Sequence, residues 1–374
     1  MSVDQVHYDV AVIGFGPSGA TMAHLLGLCN VRTLVLERES EAYEFPRAVH
    51  FDDEVMRIFQ TIGLGDAVAR IVRVNPGMRF RGPDGRLLLD WPRPQELTRQ
   101  GWYASYRFHQ PDLERILHGE VARYSHVTVR RRCEAFSVED RGEHVVLRYK
   151  DFASGQVHHV QVAHVVGCDG ARSLVRRFIN TGLEDCGFHE RWLVVDVRLR
   201  QPKPELGDFT VQYCDLARPM TYARQPGDRR RWEIRLLPDE DNKTAVQPDA
   251  VWAMLSRWIS PADAILERIA IYTFHSLIAE NWRRGRLWLA GDSAHQSPPF
   301  MGQGMCAGIR DVANLAWKLA RSVKGFAHDS LLDSYQSERL PNVRDYVSTA
   351  VRLGGLINTS NAKEALRTAM QTLH

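Results

Sequence analysis

The sequence predicts an α/β protein with a doubly wound parallel-sheet domain, an inserted sheet that is mostly antiparallel, and a C-terminal helical tail. Three observations predict this fold class. The chain opens with a strand, a glycine-rich turn and a helix, its middle block is rich in short strands, and its last part has one apolar strand followed by long helical patterns. Two domains suit a chain of 374 residues.

Composition excludes several classes of function. Hydrophobic residues make up 44% and charged residues 25% of the chain, which is typical of a globular enzyme. The formal net charge of +3 is too small to indicate a nucleic-acid partner, and no apolar run reaches the ~18 residues of a membrane helix. The 6 cysteines are widely spaced, without a Cys-x-x-Cys pair or histidines at ligand spacing, so we expect no metal site and a reducing cytoplasm.

The first element is a βαβ unit. The strand "YDVAVIG" leads through "GFGPSG" into the helical "SGATMAHLLGLC", and "TLVLE" forms the next strand. Gly14 permits the tight turn, Gly16 lets backbone N–H groups approach a pyrophosphate, and Gly19 lets helix and strand pack closely. Glu37 ends the second strand, where an acid holds the ribose hydroxyls of a dinucleotide. This unit predicts a Rossmann-like dinucleotide site without deciding between NAD and FAD.

The following elements lead into the inserted sheet. A helix, "FDDEVMRIFQTIGL", precedes loops around "GPDGRLLLDWPRP", and then come a helix "QPDLERILHGEVARY" and the strands "EAFSVEDRG" and "HVVLRYK". An apolar strand ends at Asp169-Gly170, a pattern that also fits a plain turn. From about Asp185, the segments "WLVVDVRL", "FTVQYC" and "RRWEIRLLP" predict a mostly antiparallel sheet.

A second strand-to-helix segment, "LWLAGDSAHQSPPFMGQGMCAGIRD", favours FAD over NAD. Asp292 lies where the strand ends, so its carboxylate can accept hydrogen bonds from a ribityl chain, which FAD has and NAD lacks. Gly302 and Gly304 leave room for an isoalloxazine ring, and the positive N-terminal end of the next helix suits the anionic reduced flavin.

These three segments resemble, in order, the GxGxxG, DG and GD motifs of the group A FAD-dependent aromatic hydroxylases, the p-hydroxybenzoate hydroxylase family. The resemblance covers residues 8–344 approximately. The segments "YEFPRAVHFDDEVMRIFQTIGL", "FHQPDLERIL" and "PPFMGQGMCAGIRDVANLAWKLA" are most similar to 3-(3-hydroxyphenyl)propionate hydroxylases and related phenol monooxygenases.

The resemblance implies a domain organisation. Residues 1–184 with 280–345 would form a Rossmann-like FAD-binding domain of the GR2 type, and residues 185–279 the β-sheet domain that binds the substrate. Residues 346–374 would form a helical tail. Close relatives continue into a further C-terminal domain, so this chain is either a short natural form or a truncated one.

The resemblance also assigns cofactor contacts. It implies that the ADP half of FAD binds the glycine-rich turn and Glu37, that Arg47 and Gln110 contact the flavin, and that Asp169 serves both FAD and NAD(P)H. A surface charge and a helix N-terminal residue are the plain alternatives for Arg47 and Gln110. The predicted cofactor-binding residues are Gly14, Gly16, Pro17, Ser18, Gly19, Glu37, Arg38, Arg47, Gln110, Asp169, Asp292, Pro299, Gly302, Gly304 and Met305.

The implied reaction is the hydroxylation of a phenolic compound. NADPH or NADH would act as a transient co-substrate, which fits a sequence without a second GxGxxG after a later strand, and O2 would form a flavin C4a-hydroperoxide. Catalytic candidates are His275 or Tyr222, to take the phenol proton, and Pro298, against the flavin ring. Core packing is the alternative for His275 and Tyr222. A substrate carboxylate could bind Arg224 or Arg235.

Other functions and states stay open at the sequence level. A halogenase or reductase of the same fold is one alternative, although the Trp-x-Trp-x-Ile-Pro segment expected of halogenases is absent. A non-catalytic flavin-binding protein is another. The resemblance allows a homodimer and does not decide between NADH and NADPH.

Overall fold

Two eight-stranded sheets, a small three-stranded sheet and the surrounding helices make up the structure, a computed structural model that describes residues 7–357 except Tyr43, Phe45 and Leu216. The strands of this described part are, in chain order, β1 (His7–Ile13), β2 (Thr33–Leu36), β3 (His50–Asp52), β4 (Arg73–Val74), β5 (Gly77–Arg81), β6 (Leu87–Pro92), β7 (Ser105–Arg107), β8 (Val127–Arg130), β9 (Cys133–Asp140), β10 (Val145–Asp151), β11 (Val157–Gly167), β12 (Leu183–Leu199), β13 (Thr210–Tyr213), β14 (Met220–Arg224), β15 (Arg229–Arg235), β16 (Ala264–Ala279), β17 (Arg283–Arg284), β18 (Leu287–Leu289) and β19 (His295–Gln296). Its α-helices are α1 (Pro17–Leu28), α2 (Asp53–Thr61), α3 (Gly65–Ala69), α4 (Gln110–Glu120), α5 (Leu174–Ile179), α6 (Asn242–Ala245), α7 (Pro248–Leu255), α8 (Gly304–Val323) and α9 (Ser330–Ile357).

The first sheet is built around parallel strands in the order β18-β11-β1-β2-β8. All four residues of β2 are buried, as are the last four of β1, which accounts for their continuous apolar sequences. Because β1, β2, β11 and β18 run in the same direction, the turns that follow them meet at one edge of the sheet. The predicted nucleotide motifs occupy those turns.

The second sheet has the order β19-β16-β12-β15-β14-β13-β5-β6. The long strands β12 and β16 pair antiparallel, and β14 and β15 continue the antiparallel pattern. This confirms the mostly antiparallel character predicted for the middle block. The sheet also takes strands from outside residues 185–279, namely β5, β6 and β19. The small three-stranded sheet has the order β3-β7-β4.

The prediction of loops around "GPDGRLLLDWPRP" was wrong in part, because residues 87–92 form β6. This strand pairs antiparallel with β5, which pairs in turn with the distant β13. The Gly and Pro residues of the segment mask a hairpin whose partner strand lies more than a hundred residues away along the chain. Local sequence cannot reveal such a partner.

Three apolar clusters hold these layers together. The largest packs α1, α8 and neighbouring helices against the first sheet, and a second packs α7 against one face of the second sheet. The third is aromatic and joins the two halves of the molecule through Phe80, Phe188, Trp192 and Phe300. The predicted α/β fold class is therefore confirmed.

The helical tail is described only in part. Helix α9 reaches Ile357, while residues 358–374 of the predicted tail lie outside the described residues. Within the described part of the chain, no helix has both the length and the apolar character required to cross a membrane.

Candidate functional site

The three predicted nucleotide motifs meet at the edge of the first sheet. The Cys168 N–H donates to the Ile13 carbonyl oxygen at 2.8 Å, and the Ala290 N–H donates to the Gly167 carbonyl oxygen at 3.0 Å. The turns after β1, β11 and β18 are thereby held side by side, although they lie far apart in the sequence. Glu37, at the end of β2, joins them from the neighbouring strand.

Two different reasons explain why glycine occupies these positions of the first turn. Gly14 has a φ of +95°, and a Cβ there would overlap the Cys168 carbonyl; a Cβ on Gly19 would overlap the Gly14 carbonyl. Gly16 has an ordinary φ of −68°, and a Cβ on it would meet no atom within 4 Å. Packing therefore explains Gly14 and Gly19, whereas the open space beside Gly16 suits a bound phosphate group.

Pro17 and Ser18 continue the turn into α1. Pro17 is at the start of the helix, and its carbonyl accepts a hydrogen bond from the Thr21 hydroxyl at 2.8 Å. The Ser18 side chain lies beside Gly291 and Gly308, where a Cβ on either glycine would crowd its hydroxyl. The glycine-rich turn, the turn at Gly291 and Asp292 (the GD turn) and α8 are thus in direct contact.

Glu37 organises the same turn. Its Oε2 accepts the Phe15 N–H at 2.8 Å, and its Oε1 accepts the Glu39 N–H at 2.9 Å. Each oxygen keeps a further lone pair with which it can accept a ribose hydroxyl. Arg38 is exposed and pairs with Glu39 at 3.0 Å, so its predicted cofactor contact stays a prediction.

His118 supports this turn from α4, and it was not predicted from the sequence. Its Nε2 donates to the Phe15 carbonyl at 2.6 Å, and its ring stacks on Phe15 with centroids 4.2 Å apart. Arg131 donates to Nδ1 of the same ring at 2.9 Å. Burial lowers the pKa of His118 to about 4, so the ring is neutral at physiological pH, with its proton on Nε2.

The segment at Arg47 is held by Gln110. The Gln110 Oε1 accepts the backbone N–H groups of Arg47 and Ala48, each at 2.8 Å, and its Nε2 donates to Glu114 at 2.6 Å. Gln110 is only 5% exposed. Its visible role is to position the Arg47 segment, and a direct contact with the flavin stays a prediction.

The second sheet holds the same segment from the other side. Arg231 on β15 donates to the Arg47 carbonyl at 2.9 Å and also to the Pro46 carbonyl, which in addition accepts from Arg268 on β16. Asp196 on β12 receives the Arg231 guanidinium with two bonds, at 2.8 and 2.9 Å. A buried ionic cluster therefore connects the second sheet to the segment predicted to contact the flavin.

Asp169 has one satisfied oxygen and one unsatisfied oxygen. Its Oδ2 accepts the N–H groups of Leu174 at 2.6 Å and Val175 at 3.2 Å, at the start of α5. Its Oδ1 is buried and has no hydrogen-bond partner among the described residues. Desolvation by burial raises the pKa of this carboxyl, which is compatible with a ligand group that completes its hydrogen bonding.

Asp292 follows β18, and its carboxylate is open to solvent although protein atoms lie around it. Its side chain is exposed, and its carboxylate accepts no hydrogen bond from the residues that the structure describes. Desolvation nevertheless raises its pKa, while the nearby His295 and Arg47 side chains oppose that rise. A carboxylate that solvent can reach, although protein surrounds most of it, must lie in the wall of a cleft. Arg47 and Asp292 are therefore brought to the same cleft.

Asp311 on α8 fixes the turn that carries Asp292, and it was not predicted from the sequence. This carboxylate is fully buried and accepts hydrogen bonds from the Gly291 N–H at 3.1 Å, His295 Nε2 at 2.6 Å and Arg339 Nε at 2.9 Å. His295 is therefore tied into the turn as a structural residue. Contacts with Asp311 on α8, which is bound in turn by Arg339 on α9, therefore hold the GD turn in place.

The loop between the GD turn and α8 contains the remaining predicted cofactor residues. Pro298 is buried, Pro299 begins a 3₁₀ turn, and Gly302 has a φ of +63° with the His50 ring packed against it. Gly304 begins α8 with open space at its Cβ position, and Met305 packs on the main core. Burial lowers the pKa of His50 to about 4, so this ring adds no positive charge beside the loop at neutral pH.

The two predicted proton acceptors lie away from this cleft. Tyr222 faces the apolar cluster beneath α7, where its ring packs on Trp232 and its hydroxyl reaches the Gly207 carbonyl at 3.4 Å. His275 pairs with His189, with the two Nδ1 atoms 2.7 Å apart, and His189 binds the exposed Asp185. The structure does not bring either one together with Arg47 and Asp292.

The arginines proposed for a substrate carboxylate already have acidic partners. Arg224 forms an ion pair with Asp208, and Arg235 lies 3.3 Å from Glu190. Neither is gathered with the motif residues at the sheet edge. Among the described residues, no group of three or more His, Cys, Asp or Glu side chains is arranged to hold a metal ion.

The residues of the cleft fit FAD. The space beside Gly16 suits a diphosphate, Glu37 suits a ribose, and Asp292 offers free acceptor oxygens to a ribityl chain. The unsatisfied Oδ1 of Asp169 adds a further acceptor at the same sheet edge.

Comparison with known proteins agrees with this fit. Residues 7–350 match the model of a family described as "FAD binding domain". A "Probable NADH-specific resorcinol 4-hydroxylase" of Rhodococcus jostii (strain RHA1) is 41% identical over 349 residues, which cover 92% of this chain and 65% of that protein. A "3-(3-hydroxy-phenyl)propionate/3-hydroxycinnamic acid hydroxylase" of Burkholderia cenocepacia (strain HI2424) is 40% identical over 353 residues, 93% of this chain and 64% of that protein. The chain thus spans about 65% of the length of these relatives.

Solved structures share the fold. The p-nitrophenol 4-monooxygenase PnpA from Pseudomonas putida DLL-E4 superposes with a TM-score of 0.86 at 22% identity, over 98% of this chain and 93% of that chain. The flavin-dependent monooxygenase PieE, solved in complex with FAD and substrate, superposes with a TM-score of 0.87 at 21% identity, over 100% of this chain and 69% of that chain.

Proposed function

The chain belongs to the FAD binding domain family, and from that premise we propose that it is an FAD-dependent monooxygenase that hydroxylates a phenolic compound with NAD(P)H and O2. The observation that carries the proposal is the convergence of Gly16, Glu37, Arg47 and Asp292 on one cleft next to the second sheet. The names of the relatives at about 40% identity support the phenolic substrate class.

Bound FAD would supply the redox chemistry, by accepting a hydride from NAD(P)H and passing electrons to O2. The chain would hold the cofactor through the glycine-rich turn, Glu37 and Asp292. Gln110 and Arg231 would fix the Arg47 segment against it. The aromatic cluster around Phe300 would exclude water from one side of the site, which limits the loss of reducing equivalents as hydrogen peroxide.

The test is NADH or NADPH oxidation by the FAD-loaded protein in air. Resorcinol and 3-(3-hydroxyphenyl)propionate are added in turn, and hydroxylated product and hydrogen peroxide are both quantified. We expect a phenol to stimulate oxidation and to yield product in near-stoichiometric amounts. Unstimulated oxidation that gives only peroxide with both phenols and both nicotinamides would contradict the proposal and favour a non-catalytic flavin protein.

The same preparation tests the remaining parts of the proposal. NADH is the first co-substrate to try, because the name of one relative specifies it. A homodimer, which the sequence resemblance allows, is checked by sedimentation velocity of the FAD-loaded protein. A monomeric sedimentation coefficient at assay concentration would rule the dimer out without affecting the proposed reaction.

A further inference from the structure

One face of the second sheet turns toward the cleft and carries a set of charged side chains. Asp196 pairs in register with Arg231 on one neighbouring strand and with Arg268 on the other. All three side chains are at most 3% exposed. Because Arg231 donates to the Arg47 carbonyl, this is the face of the sheet directed at the flavin-binding segment.

Glu233 is the next residue on that face. It lies two positions after Arg231 on β15, so both side chains point the same way, while Trp232 and Ile234 point into the apolar cluster behind the sheet. Across the neighbouring strands it is opposite Val194 and Thr221. Glu233 therefore belongs to the wall of the cleft.

The Glu233 carboxylate has unused acceptor capacity. Its side chain is 14% exposed, and its nearest ion-pair contact is Arg231 Nη1 at 3.7 Å, beyond hydrogen-bond length. No described residue donates a hydrogen bond to it. By contrast, Asp196 on the same face is saturated by Arg231 and Gln225.

Charged groups from four strands surround Glu233. Arg231 lies on its own strand, and the others are Asp196 on β12, Arg268 on β16 and Arg107 on β7. Desolvation raises the pKa of Glu233, Arg231 opposes the rise, and Asp196 adds to it. Burial also lowers the pKa of Arg107 to about 10, so that this guanidinium is still charged at neutral pH.

We propose that Glu233 is the catalytic group that accepts the proton of the substrate hydroxyl, an inference that rests on the proposed function. The O–H bond would break heterolytically, the electron pair would stay on the phenolic oxygen, and the proton would pass to a Glu233 oxygen. The ring then becomes more electron-rich, and the positive charges of Arg231 and Arg107 favour the resulting phenolate. The proton would leave to water through the exposed part of the side chain.

The two acceptors predicted from the sequence suit this step less well. Burial raises the pKa of Tyr222 to about 12, which disfavours the ionised form that an acceptor requires, and the residue faces away from the cleft. His275 hydrogen-bonds to His189. The residue before it, Phe274, points to the opposite side of the strand and packs against the aromatic cluster that contains Phe300. Neither is adjacent to the Arg47 segment.

The test compares wild type with Glu233→Gln on a series of substituted phenols of decreasing pKa. The amide keeps the size of the side chain but accepts no proton. We expect product formation by Glu233→Gln to fall by at least ~100-fold with weakly acidic phenols, and by less than ~3-fold with phenols that are already ionised at the assay pH. In wild type, product formation should rise with pH through the Glu233 pKa, because only the carboxylate accepts a proton, and the variant should lack this limb.

Glu267→Gln is the matched control, since Glu267 lies on the same sheet but pairs with Arg229 at 3.2 Å and with Arg198 at 3.7 Å. It should leave the product yield and the pH profile unchanged. An equal loss by Glu233→Gln across all phenols, or no loss, would overturn the proposal while the hydroxylase function stands. Absence of product with wild type would overturn both.

A wild-type measurement covers the case in which Glu233→Gln fails to fold. The rate of product formation by wild type should fall at low pH as Glu233 becomes protonated. If Glu233 accepts the proton, the pH at which this fall occurs should be the same for phenols of different acidity, provided that they bind un-ionised. A limb that moves in step with the pKa of the free phenol would mean that the substrate ionises in solution, and would refute the role of Glu233.

Discussion

At the scale of single residues, Gly16 is a position at which a substitution should weaken cofactor binding without destabilising the fold. Its backbone conformation is open to any residue, and a Cβ would meet no protein atom. Gly16→Ala should therefore change the free energy of unfolding of the apoprotein by less than ~0.5 kcal/mol, while it lowers the affinity for FAD because the methyl group occupies the space of the diphosphate. Thermal unfolding without FAD and titration with FAD measure the two effects.

Gly14→Ala is the informative companion variant. Its φ of +95° and the overlap of a Cβ with the Cys168 carbonyl predict a loss of stability even without FAD. If Gly16→Ala bound FAD as tightly as wild type, the placement of the diphosphate at this turn would be wrong. If it were destabilised as much as Gly14→Ala, packing would explain both glycines.

A second prediction at this scale concerns Asp292 and pH. Hydroxyl groups of a ribityl chain donate best to an ionised carboxylate, and burial raises the pKa of Asp292 in the absence of ligand. FAD affinity should therefore decrease as the pH falls through that pKa. Asp292→Asn should bind FAD at least ~10-fold more weakly at neutral pH, because it replaces a charge-assisted bond, and should lack the pH dependence.

The measurement is the dissociation constant of FAD by flavin fluorescence at several pH values. Asp185→Asn is a suitable control, since Asp185 is an exposed carboxylate that pairs with His189 away from the cleft. A wild-type affinity that does not change with pH would contradict the assigned role of Asp292.

The site residues that a sequence can predict are those tied to a local pattern. Gly14, Gly16 and Gly19 follow a strand and open a helix, and Glu37 and Asp292 end apolar strands, so their roles can be inferred without knowing the fold. Glu233 sits in a strand of alternating residues, and its significance depends on which face turns toward Arg47. His118 and Asp311 likewise act through contacts with residues about a hundred and about twenty positions away, respectively.

At the scale of elements, α8 does more than present its N-terminal end to the cleft. Asp311, one turn into the buried part of the helix, anchors the GD turn, His295 and the Arg339 side chain of α9. The guanidinium and imidazole groups hold the pKa of this carboxyl below its usual value despite its burial. The carboxylate therefore stabilises the fold above the pKa of an unfolded Asp, and this contribution is lost as the pH falls.

Asp311→Asn should accordingly lower the free energy of unfolding at neutral pH by about 3–5 kcal/mol, since it leaves Arg339 buried without its charge partner. The difference from wild type should shrink in acid. Denaturant unfolding at pH 7 and at about pH 3, below the pKa of an unfolded Asp, gives both numbers. Asp333→Asn, which removes an exposed partner of Arg283, should cost less than ~1 kcal/mol. Equal effects of the two substitutions would show that the buried Asp311 network stabilises the fold no more than the exposed ion pair of Asp333 with Arg283.

Helices and parallel strands were predicted more completely than the second sheet. The pattern of α1, α4 and α8 is visible in short windows, and β1 and β2 are uniformly apolar because they are buried. The hairpin β5–β6 was missed because its alternation is short and its recruitment depends on pairing with β13. A long-range pairing leaves no mark in a local window of sequence.

At the scale of the whole molecule, polar and apolar contacts join the second sheet to segments of the other half. Arg231 and Arg268 bind the backbone before and at Arg47, and Arg107 on β7 donates to Thr210 on β13. The Phe300 ring lies 5.5 Å from both Phe188 and Trp192. The FAD binding predicted from the sequence is confirmed by the family match, and the cleft that would hold it is made by both halves.

This arrangement predicts that the two halves unfold together. Apoprotein should show one thermal transition, because the bonds from Arg231 and Arg268 to the Pro46 and Arg47 carbonyls and the Phe300 contacts exist only when both halves are folded. FAD at 100 times its dissociation constant should raise the free energy of unfolding by about 2.7 kcal/mol and move the whole transition. Calorimetry of the apoprotein and of the FAD-loaded protein measures this.

Phe188→Ala tests the apolar part of that junction. The Phe188 side chain is 7% exposed and packs edge-on against Phe300, so its loss should destabilise the protein by about 3–5 kcal/mol. If the junction is what couples the halves, the variant should broaden or split the transition, with FAD moving mainly the part that belongs to the first sheet. Two separate transitions already present in wild type, of which FAD moves only one, would show instead that the sheets are independent and that the second contributes little to cofactor binding.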